Sequence, residues 1–371
     1  MEASKKKIVK ITAIVLAAMI FITAAVLSGF AIAGSVRVSN AEKMSVNYDG
    51  EKLNVILMIG DGMGFNHIKA AEAEYGRLFF ANEADYAGEV TTFSRNVFGP
   101  TDSAAAATAL ATGYKTDNGH VGQYRGKDLK STTEIAVELG MSTGIIATEG
   151  VDGATPAGFS AHTASRNNLD EIIKDQLTSG VNLYFGSNAE RYAPMKAEIS
   201  KSYAYVDNIA DIPTAGDKIF AAFEEIPLVA DGASKPSLAM LATMAIDILS
   251  QNENGFFLMI EESHIDKCSH ENDLSGALEH VKAYDNAVKA VVDYAERIGN
   301  TIVIVTADHE TGGLQYNGES KDELSDGMYT KGSHTSANVP FFVFGDIDYD
   351  LDNITDNTMI AKLCQAVISA K

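Results

Sequence analysis

The chain has 371 residues, 46% of them hydrophobic and 21% charged, with a formal net charge of −21. That length and apolar share allow one large domain or two ordinary ones, and exclude disorder, a coiled coil and dependence on disulfide staples. The acid surplus excludes nucleic-acid binding by charge, because no basic excess exists to displace counterions.

Lys5, Lys6, Lys7 and Lys10 precede an apolar run, residues 11–34, that carries no charge. A positive flank before such a run is an export signal, with Ala31-Ile32-Ala33 as a cleavage site. The run also reaches the roughly 20 residues that span a bilayer. Residues 1–34 are therefore expected as a signal peptide or a retained membrane anchor, with the lysines on the cytoplasmic side. Either alternative puts the rest of the chain outside the cytoplasm: secreted, periplasmic or at the cell surface.

From Asn54 onward, short apolar runs alternate with amphipathic stretches. Residues 55–59, 144–148, 256–260, 301–306 and 339–344 read as strands buried on both faces. Residues 131–139, 237–250 and 274–297 read as helices. The alternation predicts an α/β layered fold with a central, largely parallel sheet flanked by helices. Residues 186–235 have weak periodicity and several turn residues, and are expected as an insertion or cap beside the site. Cys268 and Cys364 lie far apart with no Cys-x-x-Cys motif, and are expected to stay unpaired.

Ligands of open α/β sheets bind beyond the carboxyl ends of the strands. Polar residues follow the predicted strands there: Asp61, the 149–155 loop, Glu261 to His270, and Asp308-His309, with His334 ahead of the last strand. Asp61 lies in the glycine-rich turn Gly60-Asp61-Gly62-Met63-Gly64, where backbone can approach a cation closely. Thr101-Asp102-Ser103 precedes an alanine-rich helix that Gly113 stops, placing Ser103 at a helix N-terminus that favours an alkoxide or a phosphate. Plain helix capping explains the same triplet. Asp266 and His270 are four apart and face one another on a helix, a workable spacing for two ligands of one ion. His67, His120, His162, His264 and His280 lack such a context and read as surface or packing residues, with His264 the first candidate to support a ligand from behind. Clustered carboxylates would raise each other's pKa unless divalent ions held them ionised. Imidazole with carboxylate suits zinc, and an all-oxygen set suits magnesium.

Over nearly all of residues 53–371 the sequence resembles the alkaline phosphatase family. The shared motifs are Gly60-Asp61-Gly62-Met63-Gly64, Thr101-Asp102-Ser103-Ala104-Ala105, Ala154-Thr155-Pro156, Ser165-Arg166, Glu261 with Ile265-Asp266-Lys267 and His270, Thr306-Ala307-Asp308-His309, and His334-Thr335. Their joint occurrence in this order is specific. The resemblance implies a three-layer catalytic domain over residues 50–371 that hydrolyses small-molecule phosphate monoesters through a phosphoserine on Ser103. It implies two zinc ions, one held by Asp266, His270 and His334, the other by Asp61, Asp308 and His309. It implies one magnesium ion on Asp61, Thr155 and Glu261, a phosphate-holding fork at Arg166, and a homodimer. In one respect the chain departs from the family: Gly153 stands where Asp or His usually precedes Ala-Thr-Pro, and Asp152 is the nearest alternative carboxylate. A phosphodiesterase or sulfatase relative is the second enzymatic reading, which Arg166 disfavours because a free terminal phosphate accepts its paired bonds. A catalytically dead relative would have lost the nucleophile or a zinc ligand, and neither is lost.

Overall fold

The structure, a computed structural model, describes residues 53–370 apart from 97–98, 233–234 and 319. The expected leader at residues 1–34 lies outside them. Among the described residues no helix is long and apolar enough to cross a membrane.

Nine strands make one sheet: Asn54–Gly60 (β1), Tyr86–Val90 (β2), Ser142–Ala147 (β3), Leu183–Gly186 (β4), Ala204–Val206 (β5), Ile219–Ala222 (β6), Phe256–Glu262 (β7), Thr301–Thr306 (β8) and Val339–Phe344 (β9). Their spatial order is β2-β9-β8-β1-β7-β3-β4-β6-β5. From β8 across to β5 every pairing is parallel. At the other edge β9 runs antiparallel to both β8 and β2. The central strands β1 and β7 are buried almost end to end, as strands covered on both faces must be, whereas β2 alternates half-buried and exposed residues up to a buried Val90, like an edge. Residues 204–206 and 219–222, inside the 186–235 stretch, are sheet strands themselves, so the sheet continues through the region expected as an insertion or cap.

Two sets of helices pack on this sheet. Phe65–Tyr75 (α1), Leu238–Leu249 (α4) and His264–His270 (α5) gather around the long helix Leu274–Ile298 (α6). Ser103–Thr112 (α2) packs against Ala154–Gly158 (α3) and Asn357–Ile368 (α7). All ten residues of α2 are buried, which its alanines allow by keeping the helix thin. Cys268 and Cys364 are unpaired, as expected.

The register decides where the chemistry collects. Ile59 lies beside both Glu261 and Thr306, and Ala147 beside Glu261. Asp61, Thr148, Glu261 and Asp308 therefore emerge together at the carboxyl edge of the parallel strands.

Candidate active site

Ser103 is the first residue of α2, and capping is done by its neighbour: the Asp102 carboxylate accepts the Ala105 amide at 3.0 Å. The Ser103 hydroxyl is thus left free of that duty. It is buried, and its Oγ lies 3.2 Å from His309 Nε2.

His309 is fully buried, and burial pushes its imidazole down to about 4, so the ring is neutral at ordinary pH. Thr311 donates its hydroxyl to Asp266 Oδ1, which leaves the Thr311 oxygen to accept from His309 Nδ1 at 3.2 Å. Nε2 then carries a lone pair. It faces Asp308 Oδ2 at 3.2 Å and Asp61 Oδ1 at 3.6 Å. A lone pair and two carboxylate oxygens repel at such distances until a cation sits among them. Asp61, Asp308 and His309 have ligand atoms within 4.8 Å of one another, as do Asp266, His309 and His334.

A two-residue ladder delivers His334. Glu310–Thr311 pairs antiparallel with His334–Thr335, setting Thr311 opposite His334. His334 donates Nδ1–H to the Thr101 carbonyl at 2.8 Å, and His270 donates Nδ1–H to the Gly332 carbonyl at 2.9 Å. Both bonds fix the ring and leave Nε2 free as a ligand. The two Nε2 atoms stand 3.1 Å apart, His270 lies 3.3 Å from Asp266 Oδ2 and His334 lies 3.5 Å from Asp266 Oδ1. Burial would raise the Asp266 carboxyl, but the His270 bond and the surrounding imidazoles outweigh it and hold the group below the usual range. The same bond raises His270 to about 9.

A third set of donors is all oxygen. Asp61 Oδ1, Asp308 Oδ2, Thr155 Oγ1 and both oxygens of Glu261 are buried without a hydrogen-bond partner. Burial and then the Asp308 charge push Asp61 well up, while burial and then the Glu149 charge do the same to Glu261. Asp308 rises to about 6 through burial and the charge of Asp266. Unpartnered buried oxygens on Asp61, Thr155 and Glu261 fit a hard cation such as magnesium.

The structure also shows what stands in for a side chain at position 153. A Cβ on Gly153 would collide with the Glu149 carboxylate, which therefore fills that space. Glu149 is paired with Lys267 at 2.8 Å. Asp152, the alternative weighed from the sequence, is instead engaged by Arg191 Nε and by the Tyr192 hydroxyl at 2.5 Å. Arg166 lies at the rim, its side chain 37% exposed, with Nη1 3.4 Å from Asp102 Oδ2. The sites predicted from sequence are therefore brought together, Arg166 through Asp102 and the rest directly. Sequence reasoning places Glu149 only at the start of the polar 149–155 loop, with the Gly153 departure as the hint of its part, and it misses Thr311 and the carbonyls of Thr101 and Gly332.

The sequence model of the family described as Alkaline phosphatase matches residues 52–190 and 196–328. Alkaline phosphatase 4 of Bacillus subtilis is 37% identical over 296 residues, covering 70% of this chain and 62% of that protein, so the chain spans less than two thirds of that relative's length. The structure of a cold-active alkaline phosphatase from the psychrophile Shewanella sp. superimposes with a TM-score of 0.73 at 26% identity, over 85% of this chain and 100% of that one. A variant of the alkaline phosphatase from the Antarctic bacterium TAB5, with Mg bound in its M3 site, gives a TM-score of 0.70 at 26% identity, over 87% of this chain and 100% of that one.

Proposed function

This chain belongs to the alkaline phosphatase family, and from that premise we propose that it hydrolyses phosphate monoesters to an alcohol and inorganic phosphate through a phosphoserine on Ser103. The observation that carries the reading is the Ser103 hydroxyl, freed from capping by Asp102 and held 3.2 Å from a neutral imidazole nitrogen amid carboxylate oxygens that lack partners.

Asp266, His270 and His334 would hold one zinc ion, and Asp61, Asp308 and His309 the other. Asp61, Thr155 and Glu261 would hold magnesium, with Glu149 supplying the carboxylate that Gly153 does not. When bound, these ions supply positive charge that favours an ionised nucleophile and offsets charge on the attacking and leaving oxygens. Ser103 Oγ attacks phosphorus in line, the alcohol departs, and water then cleaves the phosphoserine. The amides at the start of α2 face the phosphoryl oxygens. Arg166 turns its fork on two of those oxygens, steadied from behind by Asp102. That fork favours monoesters, because a diester offers fewer free oxygens. Residues 50–371 form the catalytic domain in this reading. The lysine-flanked run at 11–34 places it outside the cytoplasm, secreted, periplasmic or anchored at the surface, and the working form is a homodimer.

The test compares wild type with Ser103→Ala on a chromogenic monoester and the matching diester. Loss of monoester hydrolysis by at least about 10⁴-fold is expected in the variant. Equal activity in the two proteins removes Ser103 from the reaction, and faster diester turnover by wild type replaces the proposed substrate class.

A further inference from the structure

Glu262 follows Glu261 in β7, so strand alternation turns its side chain to the other face of the sheet. There it meets α5 and α6. His264 Nδ1 lies 3.3 Å and His280 Nδ1 3.1 Å from the same Glu262 oxygen, Oε1. The two rings stack with centroids 4.9 Å apart and planes 18° from parallel, so both present their Nδ1 edges to one point. His280 Nδ1 is buried and has hydrogen-bond geometry to no neighbour, although the carboxylate is close. A buried nitrogen 3.1 Å from a carboxylate oxygen and outside hydrogen-bond geometry is free to share a cation with that oxygen. Thr148 Oγ1 adds a fourth donor, 3.1 Å from His264 Nδ1 and 3.2 Å from Glu262 Oε1.

We propose that Glu262, His264 and His280 form a further site for a divalent transition-metal ion of the zinc type. Its three ligand atoms lie within 4.8 Å of one another, and none belongs to the groups around Asp266 and Asp308. One carboxylate oxygen and two imidazole nitrogens are a set that zinc accepts in tetrahedral geometry, with Thr148 or water completing it. The three ligands come from rigid positions: the last residue of β7, the first of α5 and the second turn of α6. An ion there would pin α5, which carries Asp266 and His270, to α6. Its ligands are partly open, with the His264 side chain 32% exposed, so exchange with solution is expected.

The test is a zinc count. Metal-stripped full-length protein is re-equilibrated with zinc and weighed against chain concentration by elemental analysis, for wild type, His264→Gln and His280→Gln. Each variant should bind one zinc fewer than wild type, and His280→Gln should keep its hydrolysis of a chromogenic monoester. Equal counts in all three overturn the site. Loss of hydrolysis by wild type would strike the phosphatase reading and leave this count unaffected. Should a variant fail to fold, acylation of wild-type histidines by diethyl pyrocarbonate gives the answer without one. Zinc on Nδ1 places the proton on Nε2 and removes the free lone pair, so His264 and His280 should become unreactive on zinc addition; unchanged labelling at both positions overturns the site.

Discussion

Glu261 and Glu262 are consecutive, equally buried and chemically identical, yet their surroundings are opposite. Both Glu261 oxygens lack a partner, and burial with the Glu149 charge pushes its carboxyl well up. Glu262 Oε1 receives the Thr148 hydroxyl and the His264 amide and faces two imidazoles. Burial alone would raise it too, but those imidazoles outweigh the penalty and bring it to about 2. One peptide step thus separates a face whose carboxylate oxygens have no donor from one whose carboxylate, while metal-free, is served by a hydroxyl, an amide and two imidazoles. Burial by itself does not set a carboxylate's chemistry; the donors delivered to it do.

Removing all divalent metal tests this contrast most strongly. The Glu261 face should collapse in stability, because each ion present at about 1,000 times its Kd contributes about 4 kcal/mol to the folded state. A fall in melting temperature on the order of 10 °C is expected on chelation, read by calorimetry. A fall of only one or two degrees would mean that the orphaned oxygens hold no ion in the folded protein.

Asp308→Asn gives the next largest effect, and its sign should reverse with metal. In the metal-free protein the Asp308 carboxyl is raised from 3.8 to about 6, so the folded state holds its proton longer than the unfolded chain. Such a group destabilises progressively as pH rises from about 4 to about 6, by roughly 3 kcal/mol when complete. Metal-free Asp308→Asn should therefore melt above metal-free wild type at pH 7, with the gap closing by pH 4. With metal present the order should invert. A gap that does not vary with pH would detach Asp308 from the repulsion.

Glu149→Gln sharpens the comparison at its smallest scale. If Glu149 serves where Gly153 offers no side chain, magnesium affinity should weaken by about 10–100-fold with the zinc count unchanged. Equilibrium dialysis against magnesium measures it. An unaltered magnesium isotherm would leave Glu149 as a salt-bridge partner of Lys267 and nothing more.

Much of the Glu261 face was legible in the sequence, because its residues sit at ends of apolar runs or in dense local motifs. Asp61, Ser103, Asp266, His270 and Asp308 each announce themselves within a few positions of a strand or helix boundary. What could not be read were bonds that close over long separations. Thr311 looks like an ordinary polar residue until it bridges Asp266 and His309, and Glu149 until the space above Gly153 is seen to be its own. His280 reads as a surface or packing residue, and His264 only as a candidate to support a ligand from behind, because their common partner lies on a strand and only the folded chain stacks their rings. The edge strand 204–206 and its neighbour 219–222 escaped for another reason: strands of three and four residues are too short to show a period. The antiparallel course of 339–344 escaped because a doubly buried strand carries no mark of direction.

The ladder that seats His334 is only two residues long on each side. A strand pairing that slips by one residue turns every side chain to the opposite face, so this stitch tolerates no insertion. The excursion between its halves, residues 312 to 333, is held at Asp326, at Tyr329 and at the Gly332 carbonyl that orients His270, while its mostly exposed residues 321–325 are under no such restraint. Variation among descendants of this sequence should therefore accumulate as loop length inside that excursion. The mouth of the site can be refashioned there for new substrates while the ligand behind it keeps its place.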